Sequence, residues 1–139
     1  MEFVTSRLVL DFGLMVLIWI VQLLIYPSFL HYSPERLQQW HLRYTSRMAI
    51  IVIPLMFGQL AITIYQAFCF PNVYTLGSIT VLLVIWIVTF IQFVPMHKAI
   101  TTTPHSRELL ENLIKRNRLR TFLWSLLFLW SLTELLLKT

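Results

Sequence analysis

Three histidines, His31, His41 and His97, sit where apolar stretches of the sequence begin or end. Imidazole is the side chain best suited to moving protons or holding a transition metal near neutral pH. Amides, phenols and a guanidinium accompany them. Gln22 and Tyr26 precede His31; Trp40, Tyr44 and Arg47 flank His41; Gln92 precedes His97; Asn117, Arg120, Thr121 and Trp124 follow later in the chain. Two chemistries suit this set. His41 or His97 could act as general base, with Asn117, Gln92 or Arg120 holding an oxyanion and Gln22, Tyr26, Tyr44 and Trp124 completing the substrate surface. Alternatively, His31, His41 and His97 could ligate copper, iron or zinc, all of which accept neutral imidazole. The metal pattern is thin. No two histidines lie four residues apart on one helix face, and the nearby Glu35 falls on what reads as a surface helix.

The elements that must position these residues are set by hydropathy. Apolar residues make up 58% of the 139-residue chain, against roughly 45–50% in soluble proteins. Stretches at about 8–29, 48–70, 73–95 and 119–137 each approach the ~20 apolar residues needed to cross a bilayer as helix. Helices satisfy their own backbone where water is absent. The expected fold is therefore all-α: a transmembrane four-helix up-down bundle forming a single domain, 1–139, with short amphipathic helices in two cytoplasmic loops. Alternating crossings bring the end of the first span, the start of the second, the end of the third and the start of the fourth to one leaflet, where the polar residues collect. Spacing places Gln22 with Tyr26, His41 with Tyr44 and Met48, and Asn117 with Arg120, Thr121 and Trp124 on shared helix faces. The first stretch is too long for a signal-peptide core and lacks a small-residue cleavage site, so it is expected to remain a span. Cys69, the single cysteine, excludes an intramolecular disulfide.

The net charge of +5 reports orientation rather than a nucleic-acid partner. Arg36, Arg43, Arg47, Lys98, Arg107, Lys115, Arg116, Arg118 and Arg120 lie in or beside the first and third connections, leaving Arg7 and Lys138 on the other side. In a bacterial inner membrane, basic loops stay inside, which puts both longer loops in the cytoplasm and both termini outside. The second connection, "FPNVY", is short and uncharged. Ser33, Pro34 and Glu35 form a helix-start signal, and Thr103 with Pro104 repeats it. Leu37, Trp40, His41 and Tyr44, and then Leu109, Leu110, Leu113 and Asn117, follow helical spacing into the next span. Trp40, Arg43, Arg116 and Arg118 read as headgroup anchors against membrane lipids, and His105 as solvated. The halves match in outline, Gln22, Pro27 and His31 answering Gln92, Pro95 and His97, as a duplicated hairpin would, although their identity is low.

A carboxylate pair stands apart. Asp11 lies in the first span and Glu134 near the end of the fourth, both toward the opposite face. Carboxylates in spans are candidate proton or cation sites. Arg7, four residues before Asp11, makes an interfacial ion pair the plainer expectation. Small multidrug transporters share the chain's size, helix number and first-span carboxylate, but their motif is missing here.

The segment "VPMHKAI…LIKRNRLRTFLW" resembles the signature of small four-span membrane proteins related to the anthrone oxygenase group, through Pro95, His97, Asn117, Arg120, Thr121 and Trp124. "YPSF" followed by "WHLRYTSR" is similar to other members. The chain departs from the group in carrying histidine at 97, where members with the named activity have asparagine. The resemblance implies an oxygen-dependent oxidation of a hydrophobic, ring-containing molecule at the membrane. The leading expectation is accordingly a small membrane oxidoreductase or monooxygenase-like protein acting on a lipophilic small molecule. The alternatives are a small proton-coupled transporter or a non-enzymatic membrane subunit, since a chain with three glycines has few close-packing positions and a broad apolar surface for a partner or a second copy.

Overall fold

A computed structural model of the chain describes residues 2–102 and 106–138, and every regular element among them is a helix. The order is α1 (Glu2–Ile20), a π turn (Val21–Ile25), α2 (Tyr26–Ser28), a 3-10 turn (Phe29–His31), α3 (Pro34–Cys69), α4 (Val73–Val88), a second π turn (Thr89–Phe93), α5 (Val94–Thr102) and α6 (Arg107–Lys138). Read through their π turns, these give four helices long and apolar enough to cross a membrane: Phe3–His31, Pro34–Cys69, Val73–Thr102 and Arg107–Lys138. Thr103, Pro104 and His105 lie outside the described residues.

The first loop and the second span are one helix. α3 runs for 36 residues without a break, about 54 Å at 1.5 Å per residue, well beyond a hydrocarbon core of ~30 Å. Pro34 occupies its first turn with Glu35 beside it, as expected. Ser33 has the extended backbone of a cap, but its side chain makes no capping bond. Side-chain caps form at Ser106, whose Oγ accepts from the Leu109 amide at 3.2 Å at the start of α6, and at Asn72, which accepts from the Thr75 amide at 3.0 Å while the Asn72 amide donates to Thr75 Oγ1 at 2.9 Å. This capping box starts α4 directly after the short connection.

Both π turns have the same cause. Each ends two residues before a proline, Pro27 or Pro95, whose ring lacks an amide donor and crowds the carbonyl four residues earlier. The chain accommodates this with one surplus residue: Tyr26 N–H bonds back to the Val21 carbonyl, and Val94 N–H to that of Thr89. A surplus residue turns all that follows by about 100° relative to an unbroken α-helix. Side-chain direction beyond each bulge therefore departs from α-helical spacing.

α1 packs on α6 and α3, and α4 packs on the same two, closing a ring of four. The ring is more polar inside than outside. Arg7, Asp11, His41, Gln59, Gln66, Asn117, Arg120 and Ser131 are buried, whereas Ile50, Phe68, Val73, Leu24 and Leu137 are exposed. That distribution suits a hydrocarbon surround, where polar groups find partners only in the bundle interior. Gly77 is the one glycine with a steric role: a Cβ there would overlap the Trp130 ring, so its absence lets α4 approach α6.

Candidate functional site

A cavity of about 410 Å³ lies among the helices, within the usual range for small-molecule sites. Its walls are mostly apolar, including Leu14, Ile18, Met56, Phe57, Trp86 and Phe90. While the hydroxyls of Thr45 and Thr89 bond back to their own helices, Tyr26, Tyr44, His97 and Arg120 bring polar groups together at one end. Four separate segments deliver them: α2, α3, α5 and α6. The bulge before Pro27 aims Tyr26 inward, and Phe29 from the following 3-10 turn packs edge-on against His41 and Tyr44 at 5.6 Å each.

Behind the cavity wall runs a chain of hydrogen bonds. The Tyr26 hydroxyl lies 2.9 Å from His97 Nε2, His97 Nδ1 lies 2.8 Å from His41 Nε2, and His41 Nδ1 lies 2.9 Å from Thr101 Oγ1. The Thr101 hydroxyl donates its proton to the His97 carbonyl at 3.0 Å, so it accepts from His41. Donor and acceptor then follow for every link when both rings are neutral. His41 carries its proton on Nδ1 and accepts on Nε2; His97 carries its proton on Nδ1 and accepts the phenolic proton of Tyr26 on Nε2. The tautomers are thus assigned by the network. All the dipoles point from the cavity toward Thr101. A string polarised in one direction can pass a proton along it by successive transfers.

Arg120 closes the other side of the polar end. Its guanidinium lies 4.2 Å from the centre of the Phe93 ring and 5.2 Å from that of Trp124, a stacking geometry that offsets part of the cost of burying charge. The Tyr26 and Tyr44 hydroxyls are its polar neighbours. Among the described residues no carboxylate forms an ion pair with it, and its Nε has no hydrogen-bond partner.

His41, His97, Arg120, Tyr26, Tyr44 and Trp124 thus come together as the sequence suggests. Gln22 and Asn117 do not join them. The Asn117 amide donates to Gln22 Oε1 at 3.0 Å and Gln22 Nε2 donates to the Ile114 carbonyl at 3.3 Å, which clamps the first helix to α6 outside the cavity. Gln22 and Tyr26 both meet α6, Gln22 at Asn117 and Tyr26 at Arg120 one turn further on, so a shared side of the helix does not bring both to the cavity. Gln92, inside the second π turn, is half-buried and off the cavity wall. His31 is exposed at the end of its 3-10 turn, so the set of three histidines does not assemble. Among the described residues no three His, Cys, Asp or Glu side chains group as metal ligands. His41 and His97 also spend facing nitrogens on each other, and the donor set does not fit a copper or iron centre. Trp40, Arg43, Arg116 and Arg118 are exposed, as anchors would be.

The opposite end of the bundle holds a second polar cluster, built on the ion pair expected between Arg7 and Asp11, which the other helices enclose. Arg7 and Asp11 are fully buried, with Nε 3.3 Å from Oδ2. Gln59 donates to Asp11 Oδ1 at 2.6 Å, Ser131 donates to Oδ2, and Arg7 donates to Gln66 Oε1 at 3.1 Å. Glu134 is not part of it and pairs with Lys138 at 2.7 Å. The signal for this cluster was present in the sequence as Gln59, Thr63 and Gln66, a polar stripe at helical spacing within a span. Trp124 Nε1 donates to Gln59 Oε1 at 3.3 Å, which ties the cluster to the cavity wall.

The chain matches no family model, no curated protein and no solved structure.

Proposed function

We propose that the chain is a small integral membrane enzyme, an up-down four-helix bundle that binds a lipophilic, ring-containing molecule in the cavity and carries out acid–base chemistry on it. The N-terminal parts of α3 and α6 serve as amphipathic helices at a cytoplasmic surface, and both termini lie outside, as the distribution of basic residues supports. One observation carries the reading: a polarised Tyr26–His97–His41–Thr101 string that opens into an apolar, drug-sized cavity beside a buried guanidinium. Tyr26 and His97 take the role of base, Arg120 that of oxyanion holder, and His41 that of a positioning residue that fixes the His97 tautomer. The resemblance read from the sequence supplies the reaction class. Oxidation of a methylene to a carbonyl, CH₂ + O₂ → C=O + H₂O, begins with loss of a carbon-bound proton, and the string is suited to that step.

The experiment compares lipid extracts by mass spectrometry from cells expressing the wild type, His97→Ala or Tyr26→Phe at matched protein levels. The wild type should accumulate a product heavier by one oxygen and lighter by two hydrogens than its precursor, with loss of about 10²–10⁴-fold in the variants. Identical extracts would end the enzymatic reading. The non-enzymatic alternative, a subunit or a homo-oligomer, is favoured by the breadth of the exposed apolar surface. It predicts co-purification of stoichiometric partner chains or self-association in lipid.

A further inference from the structure

The substrate class of this cavity follows from an electrostatic imbalance, and the inference rests on the site proposed above. Arg120 is 93% buried, it remains charged because a guanidinium does not deprotonate in proteins, and no carboxylate among the described residues pairs with it. Aromatic stacking offsets only part of the cost of a charge at such a site. Tyr26, His97 and His41 are neutral in the hydrogen-bond pattern derived above, and Tyr44 brings a phenol, which is uncharged near neutral pH. The cavity is therefore cationic as built. A natural guest would bring the missing negative charge.

The route in is also visible. α3 packs on α4, where the Phe57 ring lies edge-on to Trp86 at 5.2 Å, and again on α5, where Gln38 Nε2 donates to the Thr101 carbonyl at 2.6 Å. Between those contacts the π turn at Thr89–Phe93 packs chiefly on α4 and α5, its neighbours in the same helix. The gap is edged by Ile53, Phe57, Phe90 and Val94, all exposed and all on the cavity wall. A molecule dissolved in lipid could pass it, whereas an ion would enter hydrocarbon only at high cost.

We propose that the cavity takes lipophilic weak acids, admitted from the bilayer as the neutral O–H form and held as the oxyanion against Arg120. The balance is simple. The guest O–H bond breaks and its proton goes to the Tyr26 oxygen as the Tyr26 proton passes to His97 Nε2; the His97 Nδ1 proton passes to His41 Nε2; and the His41 Nδ1 proton leaves by way of Thr101. One proton is released at the Thr101 end for each anion bound, and no oxidant or reductant is needed.

The test is calorimetric binding to the full chain in lipid nanodiscs at pH 7, with empty nanodiscs subtracted. The probes are 4-nonylphenol, whose hydroxyl is protonated in water at that pH, and its methyl ether. Repeating the titration in buffers of different ionisation enthalpy counts the protons released. The wild type should bind the phenol at least about tenfold more tightly than the ether, as expected for a hydrogen bond to a charged group, with close to one proton released. Arg120→Gln should abolish the preference and Arg120→Lys restore part of it. Equal binding of phenol and ether by the wild type would overturn the proposal whatever the variants do, as would phenol binding without proton release. Because the readout is binding, a positive result with no oxidised product in the extracts would retain the anion site while discarding the enzyme.

Discussion

The buried Arg7–Asp11 pair allows the packing logic of the far end to be tested by a double-mutant cycle. Removing one member of a buried ion pair costs about 3–5 kcal/mol because the other is left uncompensated, but the two halves here are not equivalent. Asp11→Leu strands a guanidinium that cannot shed its charge and keeps only Gln66 as acceptor. It also orphans the Gln59 amide, which donates to Asp11 at 2.6 Å. Its cost should lie at the upper end, about 4–5 kcal/mol. Arg7→Met leaves Asp11 with Gln59 and Ser131 still donating to it, and a carboxyl without its cation can take up a proton. A cost of about 1–3 kcal/mol is expected. Combined, the two changes replace the pair with apolar groups of similar volume, so the double variant should recover at least about 2 kcal/mol relative to the sum. The assay is reversible unfolding in mixed micelles, followed by circular dichroism and tryptophan fluorescence. Additivity within about 0.5 kcal/mol would show that the groups do not act as a pair, and a mild Asp11→Leu would point to a solvated carboxylate.

Other outcomes can be stated briefly. Asn117→Leu should cost about 1–3 kcal/mol by orphaning Gln22, yet leave affinity for the phenol probe unchanged, since neither amide reaches the cavity wall; a large affinity loss in the titration above would place them back in the site. Gly77→Ala should destabilise by about 1–3 kcal/mol through overlap with Trp130, and Trp130→Leu in the same chain should relieve most of it in the micelle assay. Ile53→Trp at the mouth of the gap should slow phenol association in stopped-flow fluorescence, with stability within about 0.5 kcal/mol of wild type. Unchanged association would mean entry elsewhere.

The four apolar stretches were legible because lipid imposes one simple requirement, roughly 20 apolar residues in a row. The convergence of His41, His97, Tyr26 and Arg120 was legible for a related reason: polar groups in such stretches gather where partners exist. What failed was fine aim. Gln22 was grouped with Tyr26 by a four-residue spacing, which brings both against α6, but Gln22 is taken up by Asn117 outside the cavity. Gln92 was drawn in by its place at the end of the third span, and it falls inside the second bulge, off the cavity wall. His31 was drawn in as a third ligand because sequence proximity to a helix end does not say which way a 3-10 turn faces. The Arg7–Asp11 pair was legible from its four-residue spacing, but its enclosure was not, because that is set by Gln59 and Ser131 from distant helices, which no local pattern records.

The proline-induced bulges make the site a matter of counting as much as chemistry. Deleting Leu23, an exposed residue with no role in the cavity, would let the first helix close up into ordinary turns and swing Tyr26 through about 100°. The phenol would leave the string with every ingredient of the site still encoded. In such an architecture the length of a greasy segment is itself information, and one lost leucine codon would take apart the proposed site as surely as a lost histidine.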